Sequence, residues 1–139
     1  MIRFNLIWII FFFSCRSLVT TYEDVENAIY YEDASQESAE FNNTLKVMTW
    51  NIRFGAGRIP FFGDSCGDRV LMTETETLGY IDSIVVYINS TQPDVLLLQE
   101  VDISSKRSAY INQLQYILDH THLNYGAYAS MWNAEIIAS

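Results

Sequence analysis

Polar side chains at the ends of two short apolar runs could share one chemistry. The run Leu45–Gly57, LKVMTWNIRFGAG, delivers Asn51 and Arg53. The run Pro93–Asp102, PDVLLLQEVD, delivers Gln99, Glu100 and Asp102. Glu100 follows apolar Val95 to Leu98 with only Gln99 between, so its carboxylate is expected at the rim of a buried strand. A charge there is costly unless it is paired or bound to a cation. A divalent metal is one such partner, since Mg²⁺ is typically held by one or two carboxylates, with water and substrate phosphate completing the shell.

The elements that must position these groups follow from hydrophobic periodicity. Leu45 to Ile52 reads as a strand: Leu45, Val47, Thr49 and Asn51 alternate with Lys46, Met48, Trp50 and Ile52. Both sets are mainly apolar, as in a strand covered on both faces. Thr73 and Glu76 match a capping box, and Leu78, Ile81, Val85 and Ile88 form one apolar stripe, which predicts a helix over 73–89. Pro93 closes the connection and the second strand starts at Asp94. Strand, helix and strand form a right-handed βαβ crossover. Parallel pairing brings both polar ends to one sheet edge, where open α/β sheets bind ligands. Asn51 is also a good turn former, which is its structural alternative.

The residues TWN (Thr49 to Asn51) and QE (Gln99, Glu100), about fifty positions apart at two strand ends, resemble the endonuclease/exonuclease/phosphatase superfamily. The resemblance covers about residues 45 to 131. It implies the N-terminal half of a four-layer, deoxyribonuclease I-like α/β sandwich, running strand-helix-strand-helix-strand. It makes Glu100 the ligand of a catalytic Mg²⁺ (or Mn²⁺), and Asn51 its neighbour on the phosphate or the coordinated water. Arg53 looks similar to the basic residue that some secreted nucleases carry two positions after the Asn. The implied substrate is a phosphate ester, with nucleic acid and phospholipid head groups both in range.

The family also uses a later Asp-x-Asn pair and a Ser-Asp-His type motif. No Asp-x-Asn follows Glu100 here, and no His follows His122. Phosphoryl transfer needs charge neutralisation, an oriented water and a stabilised leaving oxygen. The expectation is an N-terminal portion of an exported phosphoesterase, silent by itself, with one face of its sheet bare. The alternative is a small exported binding module with a parallel sheet and no turnover.

The whole chain sets bounds on these readings. Its 139 residues allow one domain at most, with an incomplete phosphoesterase domain expected over 44–139. The net charge of −9 is the wrong sign for gripping nucleic acid by electrostatics alone. Seven acids and no Lys or Arg lie in residues 22–40, whereas from Thr44 onward ten acids face six bases. The acidity therefore belongs largely to segment 21–43, read as an acidic linker or surface-packed arm, disordered at least in part.

Residues 1–20 read as an export leader. Arg3 precedes the apolar run Leu6 to Phe13, too short for a membrane span. Cys15 after Ser14 resembles a lipoprotein box, so plain secretion, a periplasmic location and a lipid anchor at Cys15 stay open. With the leader gone, Cys66 has no disulfide partner.

Further along, Phe54 to Asp68 is a glycine-rich loop in which Phe61 and Phe62 serve as anchors or face a substrate, and Asp64 and Asp68 read as turn aspartates. Ser104 or Ser105 caps a helix predicted to reach about Asp119. Lys106 and Arg107 then sit at its disfavoured N-terminus, either solvated or paired with Asp102 or phosphate. His120 and His122 read as helix-end and loop residues rather than metal ligands. Tyr125 to Met131 alternates as a third strand.

Overall fold

A computed structural model describes residues 25–34, 43–63 and 66–131 of the chain. The elements run β1 (Ile29–Glu32), β2 (Val47–Asn51), α1 (Glu74–Thr91), β3 (Val95–Gln99), α2 (Gln113–Asp119) and β4 (Tyr125–Tyr128). Short 3-10 turns lie at Arg53–Gly55 and Lys106–Ser108. The fold is mixed α/β, with two separate two-stranded sheets among the described residues.

β2 and β3 pair in parallel, with Val47 opposite Val95 and Asn51 opposite Gln99. This register puts the two polar termini side by side, as the sequence implies. α1 links the strands. Its capping box is formed in both directions: Glu76 N donates to Thr73 Oγ1 (3.2 Å) and Thr73 N donates to Glu76 Oε2 (2.9 Å). Such a cap satisfies backbone donors that the first helical turn leaves unpaired. At the other end Gln92 turns left-handed, with φ 47°, and its N–H returns to Ile88 O.

The face of α1 that carries Thr77, Ile81, Ile84, Val85 and Ile88 is buried. It packs with Ile52 and Ile117 into one core, flanked by Trp50, Leu96 and Leu98 from the inner face of the β2–β3 sheet. Each fully buried aliphatic side chain, such as Ile81, Ile88 or Ile117, stabilises the fold by about 2 kcal/mol. A second cluster, Phe54, Ala56, Ile59, Phe61 and Met72, fixes the loop after β2. Phe61 is its anchor, meeting Phe54 edge-on at 5.1 Å, whereas Phe62 is exposed.

Several sequence expectations are corrected. β2 is not a strand covered on both faces: Val47, Thr49 and Asn51 on β2, and Val95, Leu97 and Gln99 on β3, are exposed, which agrees instead with the expectation of one bare sheet face. Helices cover one side only among the described residues, so double-sided apolarity does not measure burial. The second helix does not run from Ser105. Ala109 (φ 57°) and Tyr110 (φ 60°) are left-handed, and α2 begins after Asn112, whose Oδ1 accepts from Gln115 N at 3.1 Å.

The predicted third strand stops at Tyr128 and stays out of the parallel sheet. It pairs antiparallel with β1, Ile29 opposite Tyr128 and Glu32 opposite Tyr125. β1 lies inside the segment read as an acidic linker or surface-packed arm, and over Ile29–Glu32 the packed arm is what forms. The apolar run Ile29-Tyr30-Tyr31 supplies strand propensity that the surrounding acids obscure. Gly126 lets this pair approach α2, since a Cβ there would stand 3.2 Å from Leu114 and Leu118 side chains. The leader with Cys15 and the turn residue Asp64 lie outside the described residues. Cys66 is free and exposed.

Candidate functional site

Beyond their last paired residues, β2 and β3 stay joined. Ile52 N donates to Gln99 O at 3.1 Å and Phe54 N donates to Glu100 O at 2.7 Å. Both chains turn sharply here. Arg53 (φ 50°), Phe54 (φ 44°) and Glu100 (φ 55°) all adopt the left-handed conformation beside Gly55 (φ 68°). That conformation costs an L-residue about 1–2 kcal/mol, so three such residues at one edge need strong support. Gly55 is required twice over, because a Cβ would also stand 3.2 Å from Gln113 Nε2.

Asn51 shapes the turn and also reaches across to Glu100. Its Oδ1 accepts from Arg53 N at 2.9 Å, and its Nδ2 donates to Glu100 Oε1 at 2.7 Å. The turn-forming reading of Asn51 is thus realised, and the other end of the same amide meets Glu100. Glu100 itself is exposed, which corrects the expectation of a charge at a desolvated rim. The reason is the uncovered outer face: Val95, Leu97 and Gln99 meet solvent, so the strand end does too. Glu100 Oε2 makes no hydrogen bond to a described residue.

Two guanidinium groups join this pair in an open cleft of about 590 Å³ lined by Asn51, Arg53, Phe54, Glu100 and Arg107. Arg53 Nη1 donates to Gly57 O at 2.9 Å. Arg107 donates through Nε (2.8 Å) and Nη2 (2.7 Å) to the two oxygens of Asp102. Its Cζ lies 3.9 Å from the centre of the Phe54 ring, a cation–π contact. Asp102 is buried and takes a third hydrogen bond from Ser108 Oγ at 2.8 Å. Of the alternatives for Arg107, pairing with Asp102 is realised and the solvated one is not. The helix-dipole cost expected for Lys106 and Arg107 is absent, because the α-helix begins only at Gln113.

Gln113 was not legible as a site residue. Fully buried, it donates through Nε2 to Phe54 O (2.8 Å), and its Oε1 accepts from Asp102 N (3.1 Å). One amide thus ties the loop after β2 to the loop after β3. The available signal was a polar residue at a core position of a short helix, which alone does not name its partners.

His120 and His122 stand apart from the cleft. His120 stacks on Tyr116 at 4.1 Å and bonds Tyr116 O through Nδ1 (2.7 Å), and His122 Nε2 bonds Pro93 O (2.8 Å) at the start of β3. Asp68 is exposed in the loop. Among the described residues no group of three or more His, Cys, Asp or Glu side chains converges. Comparison of the chain with family models, with curated proteins and with solved structures gave no match.

Proposed function

We propose that this chain carries the cation-binding end of an exported phosphoester hydrolase dependent on Mg²⁺ or Mn²⁺. One observation carries the reading: Asn51 and Glu100, from two different strands, meet at 2.7 Å in a cleft that also holds two arginines. The likeness to the endonuclease/exonuclease/phosphatase superfamily, with its four-layer sandwich, belongs to this proposal and rests on the TWN and QE motifs.

The donor set suits the group. Mg²⁺ takes one or two carboxylates and keeps several waters, and an exposed carboxylate with an unspent oxygen leaves room for them. Glu100 would hold the ion. Bound there, a divalent cation would neutralise phosphoryl charge and lower the pKa of coordinated water. Asn51 keeps the Glu100 carboxylate turned to the cleft, and its own orientation is fixed by Arg53 N. Arg53 contributes positive charge on the side where substrate oxygens would lie. No Asp-x-Asn follows Glu100 in these residues, and none of them is assigned to orienting the attacking water.

The test is calorimetric titration of the full chain with Mg²⁺ and with Mn²⁺, repeated on Glu100→Ala. Saturable binding lost in the variant supports the proposal, and identical isotherms would remove Glu100 from it. A second reading, a non-catalytic binding module, draws on the uncovered apolar face of β2 and β3, where Val47 and Leu97 are about half exposed. A flat cation titration beside an intact fold favours the module.

A further inference from the structure

We infer that Arg107 is a phosphate-binding residue of the cleft, with Asp102 as the residue that positions it. The inference deepens the phosphoester reading and rests on it for the choice of anion.

Three contacts immobilise the guanidinium before any ligand arrives. Asp102 takes Nε and Nη2 in a fork, Phe54 lies against the flat face at 3.9 Å, and Ser108 holds the carboxylate from behind. Asp102 is itself tied down, with Gln113 on its backbone N–H. A surface arginine loses much side-chain entropy when it binds an anion. Arg107 has already lost it.

Donors remain after this fixation. A guanidinium offers five N–H groups, and the fork to Asp102 uses two. Nη1 makes no hydrogen bond to a described residue, and the side chain lines the same cleft as Glu100, Asn51 and Arg53. Planar, forked donors match the oxygens of a phosphate better than a lysine ammonium does.

Charge decides when the anion binds. Arg107 is paired with Asp102, and Glu100 brings a further negative charge to the cleft, so the phosphate meets little net attraction there before a cation binds. A divalent cation on Glu100 makes the cleft positive. Phosphate and cation should therefore bind with positive cooperativity, each tightening the other by the same factor.

The experiment uses the full chain and inorganic phosphate, with affinity read by calorimetry without and with saturating Mg²⁺. Acetate is the comparison anion, and Lys106→Gln is the control for diffuse charge, since exposed Lys106 is the neighbour of Arg107. The double variant Arg107→Gln/Asp102→Asn leaves no buried charge unpaired, and circular dichroism checks its fold.

The expected result is a phosphate affinity at least about tenfold lower in the double variant, with Mg²⁺ affinity kept and Lys106→Gln within about twofold of wild type. Wild-type binding of acetate as tight as phosphate, an equal loss in Lys106→Gln, or no phosphate binding at all overturns the inference. If Glu100→Ala keeps full Mg²⁺ affinity while the double variant loses phosphate, the cation reading fails and the assignment of Arg107 stands.

Discussion

At each end of the β2–β3 pair a carboxylate spans the two strands, and the two are spent differently. At the start, Asp94 Oδ2 accepts from Lys46 N at 2.6 Å, and Lys46 Nζ donates to Thr91 O at 2.8 Å. This is a clasp: a carboxylate on a backbone N–H, and an ammonium on a helix C-terminus where the dipole favours it. At the finish, Glu100 is held by a side-chain amide, and its second oxygen has no hydrogen bond among the described residues. The start uses one left-handed residue, Gln92, as a helix cap. The finish uses three non-glycine residues with positive φ and braces them with buried Gln113 and the Asp102–Arg107 pair. Left-handed L-residues persist only where their surroundings hold them, and the finish has that support.

The comparison can be broken most forcefully at the brace. Asp102→Ala should lower unfolding stability by about 3 kcal/mol, because it strands a half-buried guanidinium. A urea midpoint equal to wild type would mean that the finish needs no bracing. Gln113→Leu should cost about 2 kcal/mol by leaving Phe54 O and Asp102 N buried without partners. Amide exchange at both loops should accelerate together if one amide links them.

Glu100→Gly sharpens the contrast from the other side. Glycine relieves the φ of 55° at that position but loses some chain entropy and the exposed bond from Asn51, for a net gain of up to about 0.5 kcal/mol. Thermal melting should therefore rise while cation binding disappears. A fall in melting temperature would show that Glu100 serves the fold. At the start, Asp94→Ala should cost only about 0.5 kcal/mol, since its hydrogen bond is exposed, and cation affinity should not move.

The smallest effect lies outside both ends. The Arg69 guanidinium, 2.8 Å away, with help from the Thr73 backbone and hydroxyl, holds the Glu76 carboxyl down to about 2. A depressed carboxyl stabilises the fold above its ordinary value of 4.5 and loses that contribution as pH falls towards about 2. Melting followed between about pH 5 and pH 2 should show this slope in wild type and a shallower one in Glu76→Gln.

Much of this edge was legible in the residues. The capping box at Thr73 and Glu76, the stripe Ile81, Val85, Ile88 and the run Val95 to Leu98 are local patterns, and each formed the element its period demands. Once β2 and β3 pair in parallel in this register, Asn51 and Glu100 fall at the same sheet edge. β1 was less legible because its Ile29-Tyr30-Tyr31 sits among acids, and propensity over four residues is a weak signal. The break between the 3-10 turn and α2 was hidden because Ala109 and Tyr110 are residues that rarely adopt a positive φ.

The amino-acid order alone determined the strand–helix–strand unit and the placing of Asn51 and Glu100 at one edge of it. These follow from periodicity and caps, which act over a few residues. Only the tertiary structure decided that Glu100 is solvated, that Arg107 is clamped between Asp102 and Phe54, and that Gln113 joins two loops. Those outcomes depend on which face of the sheet the helices cover and on contacts between distant segments, and no local pattern encodes either.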